Sequence, residues 1–212
     1  PYRWLYFNYA IFTNISPDHI GPGEHADFEE YLYYKTRLLN MCGIGLVNKD
    51  DEHAPQIIKA ANCELYTYSE ESKEADFVAS DIRYVSQPDF VGTEFHISGK
   101  YDMEVRLGIP GLFNVVNALA AVSVCSFLGL DQARISHALE NIRVNGRMEI
   151  VYTSERCTVL VDYAHNAVSM ESLLSTLRDY KPKRLVCVFG CGGTGPKTVA
   201  ILWRDRWKAG QI

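Results

Sequence analysis

YAIFTNI, residues 9–15, is a short continuous apolar run that stops at Ser16-Pro17. A run of this length, apolar on both faces and closed by a turn signal, is the pattern of a strand buried inside a parallel sheet. Asp27 with Glu30 three residues on is a capping-box pattern, and it predicts a helix from 28 to about 41. GIGLVN (43–48) then reads as a second strand, 48–51 as a turn, 55–61 as a helix and LYTYS (65–69) as a third strand. Strands alternating with helices at this spacing predict an α/β fold built on a mostly parallel sheet.

The texture changes over 76–109, where FVASDIRYV, TEFHIS and YDMEVRLGI alternate in polarity around a turn at Ser98-Gly99-Lys100. A small antiparallel β patch is expected there. Residues 114–128 form an alanine-rich helix ended by Gly129, and Asp131 caps another running to about 142. The helical pattern stops around Asn145-Gly146-Arg147, and a domain boundary is placed near 150. TVLVDY (158–163), a helix over about 168–180 and RLVCVFG (184–190) then read as the start of a second, Rossmann-like α/β domain. Two strands and one helix are too few to bury a parallel sheet on both faces, so this domain reads as truncated.

Composition narrows the function classes. The 212 residues are 47% apolar and 12% aromatic, an ordinary globular core with length for one large domain or two small ones. A net charge of −5 lacks the concentrated Lys/Arg surface that phosphate tracking needs, so no nucleic-acid partner is expected. Nothing approaches the roughly 18 apolar residues of a membrane span, and the start is not a leader peptide; no membrane partner and a cytoplasmic location are expected. The six cysteines include no CxxC pair. They are expected to be reduced, mostly buried thiols rather than zinc ligands.

Several residues could carry chemistry. Phe28, Tyr31, Leu32, Leu38, Leu39 and Cys42 follow helical spacing, and Lys35 falls among them at i+4 from Tyr31. An ammonium on a buried face must snorkel, meet an anion or be chemically altered, because burying it alone costs several kcal/mol. Asp18 and His19 stand just past the carboxyl end of the first strand, the edge where ligands bind open α/β sheets. They suit a loop cap or a magnesium or phosphate site. Asn114 and Asn117 share a face at the positive end of one helix, Asn114 as its N-cap and Asn117 with an amide able to read an adenine edge. Arg147 in the turn, with Asp162, Tyr163 and His165 at the next strand end, offers a guanidinium, a carboxylate and aromatics for a nucleotide. Gly190, Gly192 and Gly195 fit G-x-G-x-x-G, but Pro196 interrupts the expected helix start and the acidic residue some 20 positions on is missing, which argues against a dinucleotide site.

The order of these motifs, FTNISPDHI, FEEYLYYKTRLL, GLFNVVNALAA, NGRME, VDYAHN and VFGCGG, resembles the Mur ligases, and within them the muramyl-tripeptide synthetases, over residues 9 to about 193. The resemblance implies the latter part of a central ATPase domain (1–150) followed by the start of a C-terminal ligase domain (151–212), with an aberrant tail from about 194. It implies ATP-dependent amide-bond formation in peptidoglycan synthesis. Diaminopimelate or lysine would join UDP-N-acetylmuramoyl-L-alanyl-D-glutamate through an acyl phosphate, with ATP and Mg2+ required. By motif match, His19 would be a magnesium ligand and Lys35 a carbamylated lysine that also binds magnesium. Asn114 and Asn117 would contact adenine, Arg147 the ATP phosphates and Asp162 the ribose, with Tyr163 and His165 lining the pocket. The chain departs from the family in three ways: no G-x-x-x-x-G-K-[ST] phosphate loop, Gly195 where an arginine is expected, and an unmatched tail around Trp203 and Trp207. It is therefore expected to be a fragment, inactive by itself. The alternatives are another amide ligase of the superfamily, of the folylpolyglutamate or cyanophycin synthetase type, or a non-catalytic nucleotide-binding module.

Overall fold

The computed structural model describes residues 5–17, 20–21, 24–165 and 167–189. Strands β1 (Phe7–Phe12), β2 (Cys42–Asn48), β3 (Glu64–Ser69), β4 (Phe77–Ser86), β5 (Val91–Gly99) and β6 (Met103–Leu107) are hydrogen-bonded in chain order into one sheet. Strands β7 (Glu149–Thr153) and β8 (Thr158–Val161) form a second sheet among the described residues. The helices are α1 (Phe28–Thr36), α2 (Ala54–Ala60), α3 (Leu112–Phe127), α4 (Gln132–Glu140) and α5 (Ala167–Asp179).

The first strands are parallel. Phe7 pairs with Cys42 and Phe12 with Val47, then Ile44 with Glu64 and Asn48 with Tyr68. The parallel run extends to β4 through Tyr68 opposite Phe77. The links at 87–90 and 100–102 are too short for a crossover, so β4, β5 and β6 form an antiparallel meander. The mixed sheet with helices and the antiparallel patch match the α/β expectation.

Internal contacts divide the chain into two units, residues 1–81, 95–105 and 115–136, and residues 82–94, 106–114 and 137–212. In the first unit, Ala10, Phe12, Leu32, Leu39, Val47 and Ile57 form one apolar cluster beneath α1 and α2. Leu46 and Val47, adjacent on β2, are both fully buried, as a central parallel strand requires. At the end of α3, Phe127 packs against Tyr66 at 4.8 Å and Phe77 at 5.7 Å between centroids. In the second unit, Arg106 reaches Glu140 at 2.9 Å and Glu94 at 3.4 Å while lying 3.9 Å from the Phe90 ring centroid. The Tyr180 hydroxyl donates to Gly92 O (3.0 Å) and accepts from Gly111 N (3.3 Å), tying the end of α5 to β5 and to the start of α3.

Five sequence expectations change. The first strand ends at Phe12 rather than 15, because the Ile15 amide turns away from the ladder to a carboxylate of Asp51. The first helix stops at Thr36 and continues as a 3-10 turn, Arg37–Asn40; Thr36 Oγ1 bonds back to Leu32 O (2.8 Å), the local competition that bends helix ends. Residues 149–153, at the expected domain boundary and assigned to no element by the sequence reading, are a strand. It pairs antiparallel with β8, so 158–161 closes a hairpin rather than opening a parallel βαβ unit. Residues 184–189 form no strand, and Val186 and Val188 stand exposed. Of the five described cysteines, Cys42 is buried, Cys157 is exposed and the rest are partly covered; all are free thiols. Cys191, the glycines at 190, 192 and 195, and the tail with Trp203 and Trp207 lie outside the described residues.

Burial pushes the Cys42 thiol up to about 12, with a further contribution from the neighbouring Cys63 thiol. Iodoacetamide at neutral pH is expected to modify the exposed Cys157 and to leave Cys42 intact until denaturant is added, as peptide mass mapping would show. Leu32 is 2% exposed in the cluster under α1. Leu32→Ala is expected to cost about 2–5 kcal/mol in chemical denaturation, and a loss below about 1 kcal/mol would remove α1 from the core.

Candidate functional site

The helix that carries Lys35 is held by its own cap. Glu30 N donates to Asp27 Oδ1 at 2.8 Å, and Glu30 Oε2 in return accepts from Ala26 N at 2.7 Å. The reciprocal pair satisfies two amides that open the helix. The buried face of α1 is Tyr31, Leu32 and Thr36, and Lys35 is exposed. The expectation of a lysine on the apolar stripe is corrected: one residue before Thr36, it lies about 100° around the helix from the buried line. Its ammonium sits over the Tyr31 ring, 5.2 Å from the centroid, a cation–π contact at an exposed position. His19 and Asp18 lie outside the described residues.

The turn after β2 gathers more polar contacts than the sequence pattern assigns to it. Asp50 accepts from the Ser69 hydroxyl and from Glu70 N (2.9 Å), and Asn48 Oδ1 accepts from Asp50 N (3.1 Å). Asp51 accepts from Ile15 N and from His53 N, each at 2.9 Å. The consequence appears on the neighbours. Burial first, then Asp50 and Glu71, raises the Glu70 carboxyl above its ordinary range. Burial, with Asp50 and Asp51, lifts the Tyr68 phenol likewise. The signal for these residues is an Asn-Lys-Asp-Asp run one step beyond a buried strand; reading it only as a turn hides the acceptors.

In the second unit, four of the expected residues come together. Asp162 Oδ2 accepts from Met148 N (2.8 Å) and Oδ1 from Ala164 N (2.7 Å), joining the end of β8 to the turn that holds Arg147. The Arg147 guanidinium lies 5.6 Å from the Tyr163 ring centroid, and the Tyr163 and His165 rings are 5.0 Å apart. His165 Nδ1 also approaches Tyr163 O at 3.0 Å. Met148 takes a left-handed φ of 46° while its side chain is 2% exposed, a conformation that the Asp162 bond and core burial hold in place. An ionised carboxylate has about four acceptor sites, so two backbone bonds leave Asp162 able to take two hydroxyls more.

Asn114 is not the N-cap. The helix starts at Leu112 after Gly111, whose φ is 107°, so Asn114 falls in the first turn and its Nδ2 donates to Pro110 O at 2.6 Å. Asn117, one turn on, is exposed and belongs to the first unit with Lys35. A hollow of about 290 Å³ is lined by Arg178, Lys181, Lys183 and Arg184 but by none of the expected site residues. Cations at that place offset the negative end of α5.

Two family descriptions match the chain: Mur ligase middle domain over residues 2–125 and Mur ligase, glutamate ligase domain over residues 146–202. The chain belongs to the Mur ligase family. It is 37% identical over 193 residues to UDP-N-acetylmuramoyl-L-alanyl-D-glutamate--2,6-diaminopimelate ligase 2 of Clostridium acetobutylicum, a match covering 91% of the chain and 39% of that relative. It is 36% identical over 203 residues to the corresponding ligase of Alkaliphilus oremlandii, with the same shares covered. A solved UDP-N-acetylmuramoyl-L-alanyl-D-glutamate--2,6-diaminopimelate ligase superposes with a TM-score of 0.73 at 29% identity, over 93% of this chain and 41% of that one. The chain thus spans about two fifths of the length of the relatives it matches. The family matches begin before residue 9 and continue past 193, outside the span that the quoted motifs carry.

Asp162→Ala strips the acceptor from two amides, one on the buried Met148. A stability loss of about 1–3 kcal/mol in urea is expected, and a loss no larger than that of the exposed Tyr163→Ala would remove Asp162 from this role.

Proposed function

We propose that the protein carrying this chain is an ATP-dependent ligase that joins diaminopimelate to UDP-N-acetylmuramoyl-L-alanyl-D-glutamate. The observation that carries this reading is the 37% identity over 193 residues to a ligase of that description, running through both family matches. Amide formation from a carboxylate requires activation, and phosphorylation by ATP supplies it as an acyl phosphate that the incoming amine attacks. Negative charge accumulates through these steps, so cationic and metal groups carry the catalysis.

The residues present fit those demands. Arg147, able to leave the Tyr163 ring, takes the ATP phosphates; Asp162 keeps acceptor capacity for the ribose hydroxyls; Tyr163 and His165 supply stacking surface. Asn114 and Asn117 face adenine from the first turns of α3. Magnesium, when bound, neutralises phosphate charge. Among the described residues no three His, Cys, Asp or Glu side chains converge to hold a metal ion. By the motif resemblance, His19 and Lys35 as its carbamate, an anion able to bind a hard cation, would hold the ion. The exposed Lys35 tip is open to carbon dioxide. Along the sequence, the boundary between the central and C-terminal ligase domains falls near residue 150 in this reading. The proposed reaction uses ATP and a UDP-linked substrate and belongs to the cytoplasm; no helix among the described residues is long and apolar enough to cross a membrane.

The test is phosphate release by the full-length protein with ATP, Mg2+, UDP-muramyl dipeptide and either meso-diaminopimelate or lysine. Turnover should require the UDP-linked substrate and favour diaminopimelate; turnover on a folate instead would overturn the reading. Lys35→Arg, which keeps the charge but forms no carbamate, should lower kcat by on the order of 100-fold.

A further inference from the structure

The exit of β1 is held by side chains rather than by the sheet. After Phe12 the chain leaves the ladder, and two groups, one from the turn after β2 and one from β3, take it over. The Tyr68 hydroxyl donates to Phe12 O at 3.2 Å, and Asp51 Oδ2 accepts from Ile15 N at 2.9 Å, across 36 positions of sequence. Ile15 is itself buried, so water does not offer its amide an equal substitute.

Asp51 has a second attachment. Its Oδ1 accepts from His53 N at 2.9 Å, which fixes the turn into α2. The His53 ring then lies 4.8 Å from the ring of Phe28, the first residue of the helix that carries Lys35. The Asp51 side chain is 6% exposed, and both these backbone partners are N–H donors, so each bond is charge-assisted. One carboxylate therefore spans the end of β1, the start of α2 and, through His53, the first turn of α1.

We infer that Asp51 is a positioning residue for the reaction: it sets the exit of β1 against the helix bearing Lys35, an inference that rests on the ligase reading for its catalytic consequence. The side chain touches no reacting atom. It acts by fixing the β1 exit at Ile15 against the starts of α2 and α1, and misplacement of such a segment by an ångström is enough to slow a reaction strongly. Asparagine is the discriminating substitution. It keeps the shape, but one oxygen becomes an NH2 that faces an N–H, so one of the two attachments is lost. Glutamate keeps both acceptors on a longer stem.

The experiment measures Asp51→Asn and Asp51→Glu in the full-length protein by steady-state kinetics and by amide hydrogen exchange. In Asp51→Asn the Ile15 amide should exchange at least roughly 10-fold faster, while Leu46 and Val47 on β2 keep their protection. In the same variant kcat should fall roughly 10- to 100-fold with KM values for ATP and the muramyl peptide within about threefold. Asp51→Glu should recover part of both. Should Asp51→Asn lose protection throughout, Asp51→Glu is judged by the same two readouts against wild type. An unchanged Ile15 amide overturns the anchor, and a released amide with unchanged kcat overturns the positioning role. A wild-type protein without ligase turnover sinks the ligase reading, and the exchange result still decides the anchor.

Discussion

The parallel register of β2 between β1 and β3 is the constraint on which the rest of the first unit depends. Phe12 opposite Val47 and Asn48 opposite Tyr68 bring three carboxyl ends to one edge, so any residue just past those ends meets its counterparts from the other strands. Asp50 and Asp51 are such residues. The register also demands a close approach from one side: a Cβ on Gly45 would lie 2.8 Å from Cys63 Sγ and 3.0 Å from a methyl carbon of Leu39. Glycine at that position lets the 3-10 turn after α1 settle on the sheet, and with it the helix that bears Lys35.

Two carboxylates at a half-buried edge repel and lose solvation, and N–H and O–H donors offset this: Ile15 N and His53 N for Asp51, and the Ser69 hydroxyl and Glu70 N for Asp50. The neighbouring acids show the residual field. A carboxyl such as Glu70, raised in the fold above its unfolded value, stabilises the fold only while protonated. That contribution is complete below the ordinary glutamate range and lost as pH rises through the folded value. Tyr68 is raised for the same causes but from a far higher start, so it keeps its proton at neutral pH. Its hydroxyl is a permanent donor to Phe12 O, which suits a bond that must hold a strand exit in place.

Periodicity makes β1, β2, β3 and the helices legible because each of these elements buries a regular face. It fails where position is set by contacts far apart in sequence. Lys35 has the i+4 spacing of a core residue from Tyr31, but the buried line runs through Leu32 and Thr36, and the change to 3-10 geometry rotates the side chains from Arg37 onward. The strand at 149–153 is hidden because Ile150, Val151 and Tyr152 sit beside the Gly146 and Met148 turn, whose left-handed backbone reads as a break. RLVCVFG has the composition of a buried strand, yet strand composition states only what a segment could pair with. Of the expected site, Arg147, Asp162, Tyr163 and His165 are legible as a group because two adjacent turns bring them together. Asp51 is not, since its partner Ile15 lies 36 positions away.

Asp51 and Asp162 use the same device in different units. Each stands just past a strand, each gives one oxygen to the amide two residues on (His53 and Ala164), and each sends the other oxygen to a remote amide (Ile15 and Met148). The local bond is an Asx turn, and it costs little because the backbone already bends there. Its effect is to remove the rotation of the carboxylate, so the second oxygen points in one direction and can register a distant segment. Aspartate is the residue that does this: glutamate's extra methylene lengthens the reach, and asparagine's NH2 opposes one of the donors. The device leaves no periodic trace in sequence, only an acid just past a strand. Because each oxygen retains acceptor capacity, the same carboxylate can fix the backbone and still meet a ligand hydroxyl, which is what the ribose role proposed for Asp162 requires.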